Sequence, residues 1–434
     1  MKKTFFSLLA LCMTLGASAS QWTLDQCISH AVTHNLTVRQ RAMDRVSAEN
    51  SVTEAKDGFL PQVSASASQS WNFGRGLTAD NTYANRNTSN FGWNVGLNLP
   101  LFQGLQNVRQ VAYAKANLAS VMESYEAAKD DVTLRVIAQY LQVLYCGEIE
   151  TVARNQAETA RSVLMRQQAR LEEGKIPEAD MLDARSQLAQ AEMQVTTAQS
   201  DLMLARLEMV QLLRLDEAPE EFTVEPVADA DPQLQDPRSV FDRALEFNHG
   251  VGAMKSRVTV AGQAVKVAQS GWIPRLSFNA GLSSNYYTLS GAPTESFSSQ
   301  MRHNFGKYLG FSLSVPIFDA LSTRNNVRRA RVQQTVAELE LESASDDLCK
   351  TVNQAYYQAV GARERLHSAT AAAEATRAAM DAMLEKYTLG RATSTDYDTA
   401  RSAYIRAESD RLQAKYELQL RARILDFYAS AHNY

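Results

Sequence analysis

A chain of 434 residues with 44 lysines and arginines against 48 aspartates and glutamates has a formal charge of −4, and so no basic surplus to hold a polyanion. Nucleic acid is excluded as a partner on that ground. Four cysteines without a CxxC pair form neither a disulfide framework nor a redox motif, so Cys27, Cys146 and Cys349 are read as packed thiols.

The first element in chain order is a secretory signal: Lys2 and Lys3, the apolar run FFSLLALCMTLG, then the small-x-small site Ala17-Ser18-Ala19. Residues 1–19 are expected to be removed on export. A lipoprotein signal ending at Cys12 is the rival, but Leu11 stands where such signals want a small residue. No later stretch reaches the roughly 18 apolar residues of a spanning helix. Entry into a membrane would have to use strands.

The exported chain reads as a tandem duplication of a unit of about 200 residues. HAVTHN at 30–35 parallels RALEFN at 243–248, GFLPQVSASAS at 58–68 parallels GWIPRLSFNAG at 271–281, and LNLPLFQGL at 97–105 parallels LSVPIFDAL at 313–321. EGKIPEADMLDARSQLAQAE at 173–192 parallels LGRATSTDYDTARSAYIRAE at 389–408. A first repeat over 20–215, a linker over 216–235 and a second repeat over 236–434 follow. Each repeat predicts a helix of about 35 residues, two strands, a very long helix, a glycine turn near 174 or 390, and a second long helix. The first helix opens with a capping box, Thr23 to Gln26; its counterpart opens with Asp236-Pro237, an N-cap followed by a proline. From about Gln106 to Leu171, and again from about Leu321 to Tyr387, no proline interrupts the pattern. At 1.5 Å per residue each run would span about 100 Å. Met181, Leu188, Val195 and Leu202 recur every heptad, with Ala184 and Ala191 beside them. Stripes this narrow must pack laterally against other helices.

Between the helices the period changes to 2, with strands expected at about 60–73, 89–102, 273–288 and 305–318. Phe91, Trp93, Val95, Leu97, Leu99 and Leu101 share one face, and Asn90, Gly92, Asn94, Gly96 and Asn98 the other. In the second repeat Leu309, Phe311, Leu313, Val315 and Ile317 oppose Gly310, Ser312 and Ser314. An apolar face opposite a small, polar one suits a lipid-facing wall around a wet lumen, with Trp71, Trp93, Tyr286, Tyr287 and Tyr308 as an interfacial aromatic belt. A soluble sheet with one buried face would alternate in the same way. The export signal, and helices too narrowly striped to cover four strands, favour lipid. Each strand pair is joined by a polar loop, GRGLTADNTYANRNTS or TLSGAPTESFSSQMRH. Four strands cannot close a transmembrane barrel, whose smallest form has about eight, so the barrel is shared between subunits. A dimer would give eight strands and a trimer twelve; only the larger leaves a channel.

The order of elements, the duplicated GF/WL/IP entry, the P-x-F strand exits and the glycine turns resemble the TolC-like outer membrane factor family over essentially the whole exported chain. The resemblance implies a mixed α and β membrane protein. It would be a homotrimer with a twelve-stranded transmembrane β-barrel, four strands per subunit, continued by a long periplasmic α-helical barrel, with the linker in an equatorial region. It implies an exit duct in the outer membrane for an efflux pump or type I secretion system, docked through a periplasmic adaptor to an inner-membrane transporter of RND or ABC type. By the same resemblance Gly174, Lys175, Gly390 and Arg391 lie at the adaptor-docking hairpin tips. Asp396 matches an aspartate ringing the periplasmic constriction, and Tyr387 matches a tyrosine that holds the closed state by bonding an aspartate matched by Asp180. Thr399 and the pair Ala392 and Ala179 depart from the family's other lock residues. The alternative for Asp180 and Asp396 is a carboxylate in the first turn of a helix, favourable to its dipole.

No catalytic constellation, P-loop or dinucleotide fingerprint is present, so an enzyme, a cofactor and a metal are not expected. His30 and His34 have helical spacing but no HExxH motif, and the acidic DADPQLQDP at 229–237 lacks a calcium-loop glycine. The alternative to a duct is a secreted or surface helical bundle with a soluble sheet.

Overall fold

The computed structural model describes residues 21–77, 81–85, 87–227 and 232–430. The expected signal peptide, Cys12 and part of the linker lie outside the described residues. The chain runs α1 (Leu24–His34), α2 (Leu36–Asp57), β1 (Gln62–Asn72), β2 (Arg75–Leu77), β3 (Tyr83–Asn85), β4 (Thr88–Gln103), α3 (Gln106–Glu172) and α4 (Glu178–Leu213). It continues with α5 (Pro237–Phe247), α6 (His249–Gln269), β5 (Arg275–Leu289), α7 (Phe297–His303), β6 (Gly306–Ser314), α8 (Ser322–Thr388) and α9 (Ser394–Ala429).

Where one opening helix of about 35 residues was expected in each repeat, two occur. Asn35 and Asn248 break them with extended backbone, at φ −62°, ψ 136° and φ −68°, ψ 117°. The Asn35 side chain then accepts from the Thr37 amide at 2.9 Å and so recaps the second helix.

Two compact units emerge, and each takes chain from both expected repeats. One comprises Arg41–Tyr125 and His249–Ser345; the other comprises the chain up to Gln40, Glu126–Asn248 and the chain from Asp346 onward.

The first unit holds an antiparallel sheet in the order β1-β4-β5-β6. Register puts Val63, Leu97 and Ala280 in one row and Leu99, Phe278 and Phe311 in another. Phe91, Trp93, Val95, Leu97, Leu309, Phe311 and Leu313 therefore share one apolar face, on which Leu309 is 78% and Phe311 72% exposed. Two expectations fail here. The register shifts between Pro100 and Phe102, so Phe102, opposite Leu276, continues the apolar row in place of Leu101. Val315 lies beyond the end of β6, because Pro316 has no amide to extend the ladder. The aromatic belt is also divided. Tyr287 and Tyr308 pair with Asn90 and Gly281 on the polar face, and the Tyr308 ring lies across Gly281, filling the space a Cβ would take.

Neither connecting loop is without structure. The first contains the β2–β3 ribbon, and the second contains α7, capped by the Ser296 hydroxyl on the Ser299 amide. β5 extends past the last β6 partner, Gly306 opposite Ser283, and α7 covers the edge left over. The Gln300 side chain bonds both the Tyr287 amide (2.9 Å) and carbonyl (3.0 Å), and Asn304 donates to the Asn285 carbonyl (2.8 Å). These side chains do the work of a missing strand, since an open edge would leave polar groups unpaired.

Both strand-to-helix junctions pass through two consecutive left-handed residues: Gly104 and Leu105 (φ 62° and 63°) before α3, and Ala320 and Leu321 (φ 52° and 62°) before α8. A Cβ on Gly104 would meet the Ile273 carbonyl at 2.9 Å and the Ser270 carbonyl at 3.0 Å. Ala320→Gly is expected to raise stability by about 0.5–1 kcal/mol by removing left-handed strain, and Gly104→Ala to lower it by about 2 kcal/mol or more. Thermal unfolding of the two variants checks the opposite signs.

In the second unit the most buried row of α4 is not the large heptad residues but Ala184, Ala191, Ala198 and Ala205, at 1–5% exposure, while Met181, Leu188, Val195 and Leu202 are half-buried. Small side chains let helix axes approach closely, and the bulky residues then line the flanks of the seam. Trp22 forms a bridge with Val224, and the buried Tyr140 hydroxyl donates to the Trp22 and Glu225 carbonyls, tying the segment after α4 to α3.

Candidate functional site

The glycine turns lie in the second unit, between α3 and α4 and between α8 and α9. Gly174 (φ 68°) and Gly390 (φ 72°) supply the left-handed residue that ends each long helix. The Lys175 amide bonds the Arg170 carbonyl and the Arg391 amide bonds the Lys386 carbonyl, both at 2.8 Å, so the two tips share one backbone design. Their restarts differ. Pro177 caps α4 without a side-chain bond, whereas Thr393 forms a capping box with Asp396 at the start of α9. At the exposed tips, Lys175 pairs with Glu173 at 2.6 Å, and Arg391 is exposed.

Asp396 is exposed and its carboxylate accepts from the Thr393 hydroxyl (2.7 Å) and amide (3.1 Å), which holds its pKa below the ordinary carboxylate value. The first-turn role anticipated as the alternative is thus realised, and it leaves the charge facing solvent. Tyr387 is buried. Its ring stacks on Tyr397, with centroids 5.5 Å apart and planes within 2°, inside a cluster with Val163, Ala184 and Met380. Its hydroxyl makes no hydrogen bond to Asp180 among the described residues; burial, countered by the nearby Gln167 amide, raises its pKa. Asp180 is half-buried in the first turn of α4.

The polar link between the tips is made by residues that sequence reasoning did not select. Gln187 of α4 donates to Asp398 of α9 at 2.6 Å, and Asp398 pairs with Arg401 at 3.1 Å. Arg401 is buried, an uncommon place for a guanidinium that is not ion-paired. Burial pushes the Asp398 carboxyl up, against the pull of Arg401 and Gln187. Nearby, Ser394 donates to Asp183 at 3.1 Å, and Arg170 at the end of α3 donates to the Thr388 carbonyl at 3.3 Å. The i, i+3 spacing of Asp398 and Arg401 was visible in the sequence; the Gln187 partner was not.

Known proteins place this architecture. A sequence profile of the outer membrane efflux protein family matches residues 27–213 and again 240–429. The chain belongs to that family. Outer membrane efflux protein BepC of Brucella suis is 24% identical over 411 residues, covering 93% of this chain and 86% of that protein. Outer membrane protein TolC of Escherichia coli is 24% identical over 429 residues, covering 96% of this chain and 84% of TolC. The fold is that of the Campylobacter jejuni CmeC outer membrane channel, with a TM-score of 0.75 at 16% identity, covering 94% of this chain and 86% of CmeC. Membership makes this a TolC-family channel of the outer membrane extending into the periplasm. In that setting the exposed apolar sheet face and the paired glycine tips are the two parts of the chain that call for a role.

Proposed function

We propose that three copies of this chain form a passive exit duct: a twelve-stranded barrel in the outer membrane continued by a periplasmic helical barrel. The observation that carries the reading is the sheet, which ends in β1 on one side and β6 on the other and keeps an apolar face exposed. Closure through copies of itself would pair both edges and give the apolar face to lipid. The duct would serve an efflux pump or a type I secretion system, with Gly174, Lys175, Gly390 and Arg391 gripped by a periplasmic adaptor. That adaptor joins an inner-membrane transporter of RND or ABC type, which supplies the energy. Asp180, Tyr387 and Asp396 would line or hold the periplasmic constriction, three copies of Asp396 forming a cation-attracting collar.

Detergent-extracted protein should run as a trimer and conduct ions across a planar bilayer; a protein soluble without detergent and silent in the bilayer is instead a secreted bundle. Asp396→Ala should raise single-channel conductance or relieve block by multivalent cations. Unchanged conductance and block would remove Asp396 from the constriction, while leaving its cap on α9 intact as a separate role.

A further inference from the structure

Helix α7 lies on the apolar face of the sheet, at the end opposite the strand-to-helix junctions. Phe297 contacts Phe91 and Tyr286 with ring centroids 5.8 and 5.1 Å apart, Phe305 lies 6.2 Å from Trp93, and the buried Ser284 hydroxyl donates to the Met301 carbonyl at 2.8 Å. Phe91, Trp93, Ser284 and Tyr286 all share the face carrying Leu309 and Phe311. This loop element therefore sits on the wall itself, where a lipid-facing surface meets the headgroups, and it presents aromatic rings at that level.

Two cations belong to this same segment of chain. Arg302, at the end of α7, donates to the Ser298 carbonyl at 3.3 Å, and Lys307, opposite Leu282 on the apolar face, stands over the Phe305 ring with Nζ 5.5 Å from its centroid. Neither is paired with a carboxylate among the described residues; the nearby Glu295 is taken by Ser299 and His303. A lysine on a largely apolar face is costly inside the hydrocarbon and favourable at its edge, where an anion can meet it.

We propose that Arg302 and Lys307 bind the phosphate of an anionic lipid of the outer leaflet, with α7 as the interfacial shelf on which its acyl chains rest against Phe297, Phe305 and Trp93. The inference rests on the duct reading, which gives this face to lipid. Its occupant is a membrane lipid rather than a soluble anion because the charges border an exposed apolar surface.

The test uses the full-length trimer in a non-ionic detergent, offered lipid A with and without its phosphates, with bound lipid counted by native mass spectrometry. The wild type should retain the phosphorylated form, R302Q/K307Q should retain it about tenfold less, and R302K/K307R should retain it as the wild type does. Equal retention by R302Q/K307Q, or no preference for the phosphorylated lipid, overturns the site. Displacement of the lipid by inorganic phosphate at equal concentration would assign the cations to any free anion and overturn it as well. The same spectra show the oligomer, so loss of the trimer in the wild type counts against the duct itself, whereas an intact trimer with unchanged lipid counts only against the site.

Discussion

Arg401→Ala should destabilise the hairpin tips by about 2 kcal/mol and make their stability more sensitive to pH. Removing one partner of a fully buried ion pair costs roughly 3–5 kcal/mol, because the other charge is left without compensation. Here the cost is smaller, since the Asp398 side chain keeps 36% of its surface in solvent and retains the Gln187 amide. The pH effect has a definite sign. Burial raises the Asp398 carboxyl above its ordinary 3.8 in the folded chain, so folding favours its protonated form. Its contribution to stability is therefore present below that value and is lost as the pH rises through the folded-state pKa. Arg401 limits the rise; without it the window widens upward. Denaturant unfolding of wild type and variant, compared from about pH 4 to pH 7, should show the variant losing stability more steeply. Parallel curves would mean that the pair is not coupled in the folded tips.

Tyr397→Ala should have the largest effect of any single truncation at this end of the chain, about 3–5 kcal/mol. The side chain is fully buried, stacks on Tyr387, and packs in the cluster with Val163, Ala184 and Met380, which joins α3, α4, α8 and α9. Its loss leaves an aromatic-sized cavity where four helix ends meet. Tyr387→Phe, by contrast, should change stability by less than about 1 kcal/mol, because it keeps the ring in that stack and removes a hydroxyl that makes no hydrogen bond to Asp180. Thermal unfolding of both variants, with bilayer conductance as a second reading, checks the contrast. If Tyr387→Phe were the more damaging, the tyrosine hydroxyl would be holding the closed tips through a bond formed outside this single chain.

Residues whose partners are near in sequence were legible without coordinates. The first-turn place of Asp396 in α9 is one case, set by the glycine turn just before it; the apolar face of β4 is another, where a period of 2 decides the side. Gly174 and Gly390 are a third, since the end of a long helix asks for a left-handed residue whatever surrounds it. The same local logic misled at Asn35 and Asn248, where extended backbone breaks the helix, and at Leu101, where a bulge shifted the register by one.

The sequence by itself determined that helices and strands alternate in two similar halves, that the strands carry an apolar face, and that two glycine turns interrupt long helices. Each of these follows from periodicity or backbone freedom, which are properties of neighbouring residues. Only the tertiary structure decided that alanines rather than leucines form the buried row of α4, that α7 folds onto the apolar face to cover the surplus edge of β5, and that Gln187 meets Asp398. The last pair is separated by 211 residues. No local pattern selects such a partner, because the contact exists only once two hairpins built at opposite ends of the chain have been brought side by side.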